Sequence, residues 1–190
     1  NPGNIGGEWR IRQVLQLAKE KGLPVRFGIN GGSLEADIYE KYGGVTSDAL
    51  VESVMRSVKI AEEENFENLV ISLKSSDVRE VYEAYKKLSK LTDFPLHIGV
   101  TEAGTAYRGI IKSAMALGGL LLEGIGDTMR ISLTADPIEE VKAAKEMLRS
   151  LGILKEGVEI ISCPTCGRTE IDLIGLAHQV EKEFENDKRN

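Results

Sequence analysis

Cysteine is nearly absent: 190 residues carry two, Cys163 and Cys166. One such pair cannot build the multi-bridge framework of a small secreted domain, so a reduced, cytoplasmic setting is expected. Long apolar runs are missing as well. No stretch approaches the roughly 20 residues that cross a bilayer, which excludes a membrane-spanning reading. The start Asn1-Pro2-Gly3-Asn4 has neither the basic start nor the apolar run of a signal peptide, and it has no initiating methionine. A piece excised from a longer chain is the expectation. An excess of positive charge is also lacking. Twenty-four Lys and Arg stand against 30 Asp and Glu, a net charge of −6, which argues against nonspecific nucleic-acid binding. No low-complexity run points to disorder, and the 42% hydrophobic content suits a globular core.

What is present is a repeated alternation. Arg26, Gly28 and Asn30 share one face of a first segment, and Ser72 and Lys74 share a face of a second. His97, Gly99 and Thr101 do so in a third, and Thr128, Arg130 and Ser132 in a fourth. The opposite faces read Val25-Phe27-Ile29, Leu69-Ile71-Leu73, Leu96-Ile98-Val100 and Met129-Ile131-Leu133. Successive strand side chains point to opposite faces, so each segment is a strand with one apolar and one polar face. Helix-length segments separate them, which implies a parallel sheet. Parallel strands usually carry apolar residues on both faces, because both are covered. A polar, mostly cationic face inside an acidic protein points to an anion site.

The expected order is a helix over 7–21, then five βα repeats. Strands fall at 24–30, 68–74, 95–101, 127–133 and 158–162, and helices at 48–64, near 106–123 and about 170–185. Asp77 with Glu80 makes a capping-box-like start for a helix with Val78, Val81, Tyr82, Tyr85 and Leu88 as its buried stripe. The first helix carries Ile11, Val14, Leu15 and Ala18 at helical spacing. Asp136 caps a further helix whose first position is Pro137 and whose stop is Gly152. This α/β repeat fits a barrel or a doubly wound sheet. Four βα units are half of an eight-stranded barrel, and Asn1-Pro2-Gly3-Asn4 reads as a loop left after a missing strand.

Asn30, Lys74, Thr101, Glu102 and Ser132 lie at or just past the carboxyl ends of strands, the edge that carries the site in such folds. Converging Lys and Arg can neutralise a diphosphate, Arg through two parallel hydrogen bonds. The plain alternative pairs Arg26, Lys74 and Arg130 with acids such as Glu102 or Asp127. Glu102 is either a proton donor or base, or a helix-start glutamate favoured by the dipole. His97 on the polar face is either a functional or a satisfied core histidine. Gly31-Gly32-Ser33 is either a plain loop or a turn whose backbone amides approach a phosphate, and Gly124-Ile125-Gly126-Asp127 reads as a tight helix-to-strand turn. Cys163-Pro164-Thr165-Cys166 is half of an iron–sulfur or zinc site, a redox pair, or two unligated thiols.

Longer strings are more specific. Asn1-Pro2-Gly3-Asn4-Ile5-Gly6, Val25-Arg26-Phe27-Gly28-Ile29-Asn30 with Gly32-Ser33-Leu34-Glu35, and Lys74-Ser75-Ser76-Asp77 occur in order. Leu96-His97-Ile98-Gly99-Val100-Thr101-Glu102-Ala103-Gly104, the segment from Glu123-Gly124-Ile125-Gly126-Asp127 through Thr128-Met129-Arg130-Ile131-Ser132-Leu133, and Cys163-Pro164-Thr165-Cys166 follow. Together these resemble the 4-hydroxy-3-methylbut-2-enyl diphosphate synthases of the methylerythritol phosphate route to isoprenoids, essentially end to end.

The resemblance implies the second half of a (β/α)8 TIM barrel over 1–153, four βα units, and the beginning of an α/β iron–sulfur domain over 154–190. It implies an oxidoreductase that reductively opens and dehydrates 2-C-methyl-D-erythritol 2,4-cyclodiphosphate with electrons from ferredoxin or flavodoxin. Arg26, Asn30, Lys74, His97, Arg130 and Ser132 would hold the substrate, with Thr101 nearby, and Glu102 would be the acid in the barrel. Cys163 and Cys166 would be two ligands of a [4Fe–4S] cluster. Against that pattern the first four barrel strands are missing, as are a third cysteine and a glutamate that complete the cluster. An inactive piece without a stable cluster, paired as a homodimer to cover its open edges, is therefore expected. Two rivals remain: a non-redox barrel enzyme acting on a phosphorylated small molecule, with Lys74 as a Schiff-base amine, and an interaction module with a structural metal at the cysteines.

Overall fold

The computed structural model describes residues 5–184 and 187, so Asn1-Pro2-Gly3-Asn4, read above as a loop after a missing strand, lies outside the described residues. The chain divides into two compact units, Asn1–Ala144 and Lys145–Asn190.

The first unit opens with α1 (Glu8–Glu20), which buries Ile11, Leu15 and Ala18. Val14, counted in that stripe, is instead 38% exposed. β1 (Val25–Asn30) alternates as expected, burying Val25, Phe27 and Ile29. A short 3₁₀ turn, Gly31–Ser33, leads to α2 (Ala36–Tyr42), a helix that the apolar spacing did not announce. It has one buried residue, Ile38, and is held from outside by ion pairs of Lys41 with Glu52 and Asp37 with Arg56. α3 (Ser47–Glu63) carries the stripe Leu50, Val54, Val58 and Ala61, all fully buried.

β2 (Leu69–Lys74) precedes α4 (Val78–Leu88). Asp77 Oδ1 accepts the N–H groups of Arg79 at 2.8 Å and Glu80 at 3.0 Å, a side-chain cap for two otherwise orphaned donors. The reciprocal half of a capping box is absent: the Glu80 carboxylate accepts the Ser47 N–H at the start of α3, tying α4 to α3. β3 (His97–Gly99), α5 (Ala106–Leu122) and β4 (Thr128–Arg130) follow. α6 (Pro137–Ser150) starts where Asp136 Oδ1 accepts the Ile138 N–H at 2.9 Å. The Gly124–Gly126 turn is tight as expected, with both glycines at positive φ.

All strand pairings are parallel. β1 pairs with β2 from Val25↔Leu69 to Asn30↔Lys74, β2 meets β3 at the bridge Ile71↔Leu96, and β3 pairs with β4 from His97↔Thr128 to Gly99↔Arg130. Strand order thus follows chain order, as in a barrel wall; a doubly wound sheet would reverse it at a switch point. Helices α3, α4 and α5 pack side by side on one face. Their stripes meet the apolar strand face, and each fully buried large side chain there is worth roughly 1.5–3 kcal/mol of transfer free energy. The other face is left to the polar set.

β3 and β4 are shorter than the expected 95–101 and 127–133. Past β4 the Leu133 N–H goes to the Glu140 side chain at 2.8 Å, and pairing resumes at the parallel bridge Thr105↔Thr134.

The second unit holds α7 (Leu173–Phe184), which buries no residue. No strand forms over the expected 158–162. Backbone groups in a strand need a ladder partner, and none lies beside this segment among the described residues; β-branched residues alone do not supply one. Among the described residues no helix is long and apolar enough to cross a membrane.

Candidate functional site

The polar face is built from the strands outward. At its centre Lys74 is 5% exposed and Ser72 1% exposed, while Arg26, Asn30 and Arg130 on the flanking strands are exposed and His97 is half-buried. Register sets Asn30 beside Lys74 and Gly99 beside Arg130. Gly99 lets the Arg130 backbone lie close across the β3–β4 seam. A side-chain carbon there would lie 3.0 Å from the Arg130 carbonyl oxygen and 3.6 Å from Lys74 Cε. Sequence reasoning had Gly99 in the alternation but gave it no role.

The acids expected to neutralise these cations are elsewhere. Among the described residues Arg26, Lys74 and Arg130 make no ion pair. Asp127 accepts the Leu96 N–H at 2.7 Å at the opposite end of the strands. The ion-pair alternative is therefore corrected for this face: among the described residues no acid pairs with its cations.

That charge and the burial are felt by both titratable groups at the centre. Burial first, then Arg130 and Arg26, hold the Lys74 amine down at about 8. Burial first, then Lys74, Arg26 and Arg130, hold His97 down at about 4, so its imidazole is neutral near pH 7. His97 Nδ1 lies 2.9 Å from Thr128 Oγ1, and His97 Nε2 is buried with no hydrogen-bond partner among the described residues. A buried polar atom left unpaired beside uncompensated cations is what an anionic ligand would satisfy.

The remaining strand-end residues take different places. Thr101 enters through its backbone, its N–H donating to the Ser75 carbonyl at 3.1 Å. Ser132 is half-buried two residues past β4. Glu102 is exposed at φ +53, and it lies outside the first turn of α5, which contains no acid. The helix-dipole reading of Glu102 therefore fails. A non-glycine residue in this region costs on the order of 1 kcal/mol, and such strain clusters at functional loops.

A cavity of about 660 Å³ elsewhere is lined by Gly6, Ser33, Glu35, Arg56 and Glu63, among others. Its carboxylates, and the pairing of Arg56 to Asp37 and Glu52, make it a poor anion site.

In the second unit Cys163 and Cys166 are both exposed. The Cys166 thiol is held below the ordinary thiol range by the Arg168 backbone N–H and then the Thr169 hydroxyl. No third His, Cys, Asp or Glu joins them in a group able to hold a metal among the described residues.

Parallel strands in chain order, helices on one face and an uncompensated cationic set on the other define a TIM-type α/β domain. The family model described as the GcpE TIM-barrel domain matches residues 1–145, and the chain belongs to that family. It is 59% identical over 190 residues to a 4-hydroxy-3-methylbut-2-en-1-yl diphosphate synthase (flavodoxin) of Clostridium tetani, covering 100% of this chain and 54% of that protein. Proteins of the same name from Fusobacterium nucleatum and Caldanaerobacter subterraneus are 57% and 56% identical over 188 and 189 residues. They cover 99% and 100% of this chain and 53% of their own length in both cases. The chain thus spans about half the length of the curated relatives it matches.

Proposed function

We propose that this chain is part of a 4-hydroxy-3-methylbut-2-en-1-yl diphosphate synthase, with 1–153 as the second half of its substrate barrel and 154–190 as the beginning of its iron–sulfur domain. The whole enzyme would reductively open and dehydrate 2-C-methyl-D-erythritol 2,4-cyclodiphosphate, drawing electrons from flavodoxin or ferredoxin. The observation that carries this is the uncompensated cationic face with the unpartnered His97 Nε2. A cyclic diphosphate supplies the missing negative charge and acceptors. Arg26 and Arg130 would grip it from the flanking strands and Lys74 from the centre. Asn30, Thr101 and Ser132 would line the rim, His97 would hydrogen-bond it, and Glu102 would be the nearby acid.

The two thiols do not by themselves fit the cluster that the family implies. Cys163 and Cys166 offer two of four ligands, and no third donor gathers with them among the described residues. Iron analysis of the purified chain is expected to fall well short of one cluster per chain. β1 and β4 each have an edge without a strand partner among the described residues. Beside β1, Val14, Leu17 and Leu23 are 38%, 52% and 53% exposed along a groove of about 380 Å³. Two copies pairing to cover such edges fit this surface, and a monodisperse monomer in solution scattering would contradict it.

The test of the functional reading is equilibrium binding of the cyclic diphosphate to the chain. Saturable binding that is lost in Lys74→Met supports it, and absence of binding by the wild type overturns it. One observation favours a second reading. A buried amine titrating at about 8 is also suited to Schiff-base chemistry, and borohydride trapping of Lys74 by a sugar phosphate would establish that role instead.

A further inference from the structure

The seam between β2 and β3 has a regular register with one link replaced. The Ile71 N–H donates to the Pro95 carbonyl at 2.9 Å, and further up the Thr101 N–H donates to the Ser75 carbonyl at 3.1 Å. Two residues per step place Leu73 N–H opposite the His97 carbonyl between them. β2 and β3 form no continuous ladder at this level. The hydroxyl of Tyr85, reaching in from α4, accepts the Leu73 N–H at 2.8 Å and donates to the His97 carbonyl at 2.7 Å. Tyr85 is fully buried, and the Ser72 side chain of the polar face is also within hydrogen-bonding reach of the phenol. Burial pushes the phenol's pKa up, so it stays a donor across the ordinary pH range.

A two-bond relay holds two strands farther apart than one direct bond does. The relay sits one residue below Lys74 and on the backbone of His97 itself, the two central members of the cationic face. We propose that Tyr85 is a positioning residue: its hydroxyl wedges β2 from β3 and so sets the spacing of Lys74 and His97 for an anion bound between them. This rests on the anion-site reading above. An ordinary core tyrosine would satisfy its hydroxyl anywhere, whereas this one interrupts the ladder at the level of the site.

Tyr85→Phe removes the oxygen and leaves the ring. Inorganic pyrophosphate is titrated calorimetrically into wild type, Tyr85→Phe and Val81→Ala, a neighbouring buried residue of α4 that touches no ladder bond. Tyr85→Phe is expected to weaken pyrophosphate about tenfold, the scale of one weakened hydrogen bond to a charged group. Val81→Ala should lose stability with unchanged affinity. Equal affinity in wild type and Tyr85→Phe overturns the wedge. No binding by the wild type overturns the anion reading, and the wedge's role with it. If Tyr85→Phe does not fold, wild-type NMR decides: pyrophosphate must shift the Leu73 amide and Tyr85 ring signals together with those of His97. Silence at Leu73 and Tyr85 overturns the proposal.

Discussion

The two units of the chain carry similar local signals and answer them differently. α3 in the first unit and α7 in the second are both amphipathic, yet α3 buries nine residues and α7 none. β1 and the segment 158–162 are both expected as strands, yet only β1 has a strand beside it to complete its ladder. Periodicity states which face an element would bury; a partner decides whether it buries it. The first unit supplies its own partners, strand against strand and helix against sheet, and there the polar face acquires a defined geometry.

The largest expected contrast is in stability. Leu73→Ala, at a fully buried position of β2, should cost about 2–5 kcal/mol. Ile174→Ala, 64% exposed on α7, should stay within about 0.5 kcal/mol of wild type. Urea unfolding of the two variants measures the difference, and equal losses would erase the contrast between the units. Next in size is anion affinity. Arg130→Ala should weaken the cyclic diphosphate roughly 10–100-fold, as expected for loss of a charged hydrogen bond. Arg168→Ala in the second unit should leave it unchanged.

The pH profile gives a smaller, signed effect. Lys74 titrates at about 8 in the fold against 10.5 ordinarily, so from pH 8 to 10.5 the unfolded chain holds more protons and stability rises. Anion affinity should run the other way and fall over that window, as the amine neutralises. His97, at about 4 against 6.5, makes stability fall as pH drops from 6.5 toward 4, because the unfolded chain again binds the proton more readily. Thermal melts and titrations across these ranges read both signs. The smallest effect is local: Asp77→Ala should cost about 1 kcal/mol through loss of the α4 cap.

Much of the first unit was legible because its signals are strong and self-consistent. The stripe Leu50, Val54, Val58 and Ala61 and the faces Val25-Phe27-Ile29 and Leu69-Ile71-Leu73 lie buried where the alternation puts them. Asp77 and Asp136 cap as their positions suggest. What the sequence concealed depends on contacts distant along the chain. α2 has too few apolar positions to show a period and is held by Glu52 and Arg56 of α3. Tyr85 read as one more stripe residue, and nothing local reveals that its hydroxyl enters the sheet. Whether Arg26, Lys74 and Arg130 find acids is likewise a matter of assembly, and the sequence left both answers open. The segment at 158–162 is short and β-prone, with Val158, Ile160 and Ile161, but no neighbouring strand is there to pair with it among the described residues.

The cationic face is proposed to grip a diphosphate. Calorimetric titration of 2-C-methyl-D-erythritol 2,4-cyclodiphosphate into wild type and Arg130→Ala tests it most directly. Saturable binding at one site per chain is expected, weakened at least about tenfold in Arg130→Ala. Equal affinity in the two proteins, or no binding by the wild type, would contradict it.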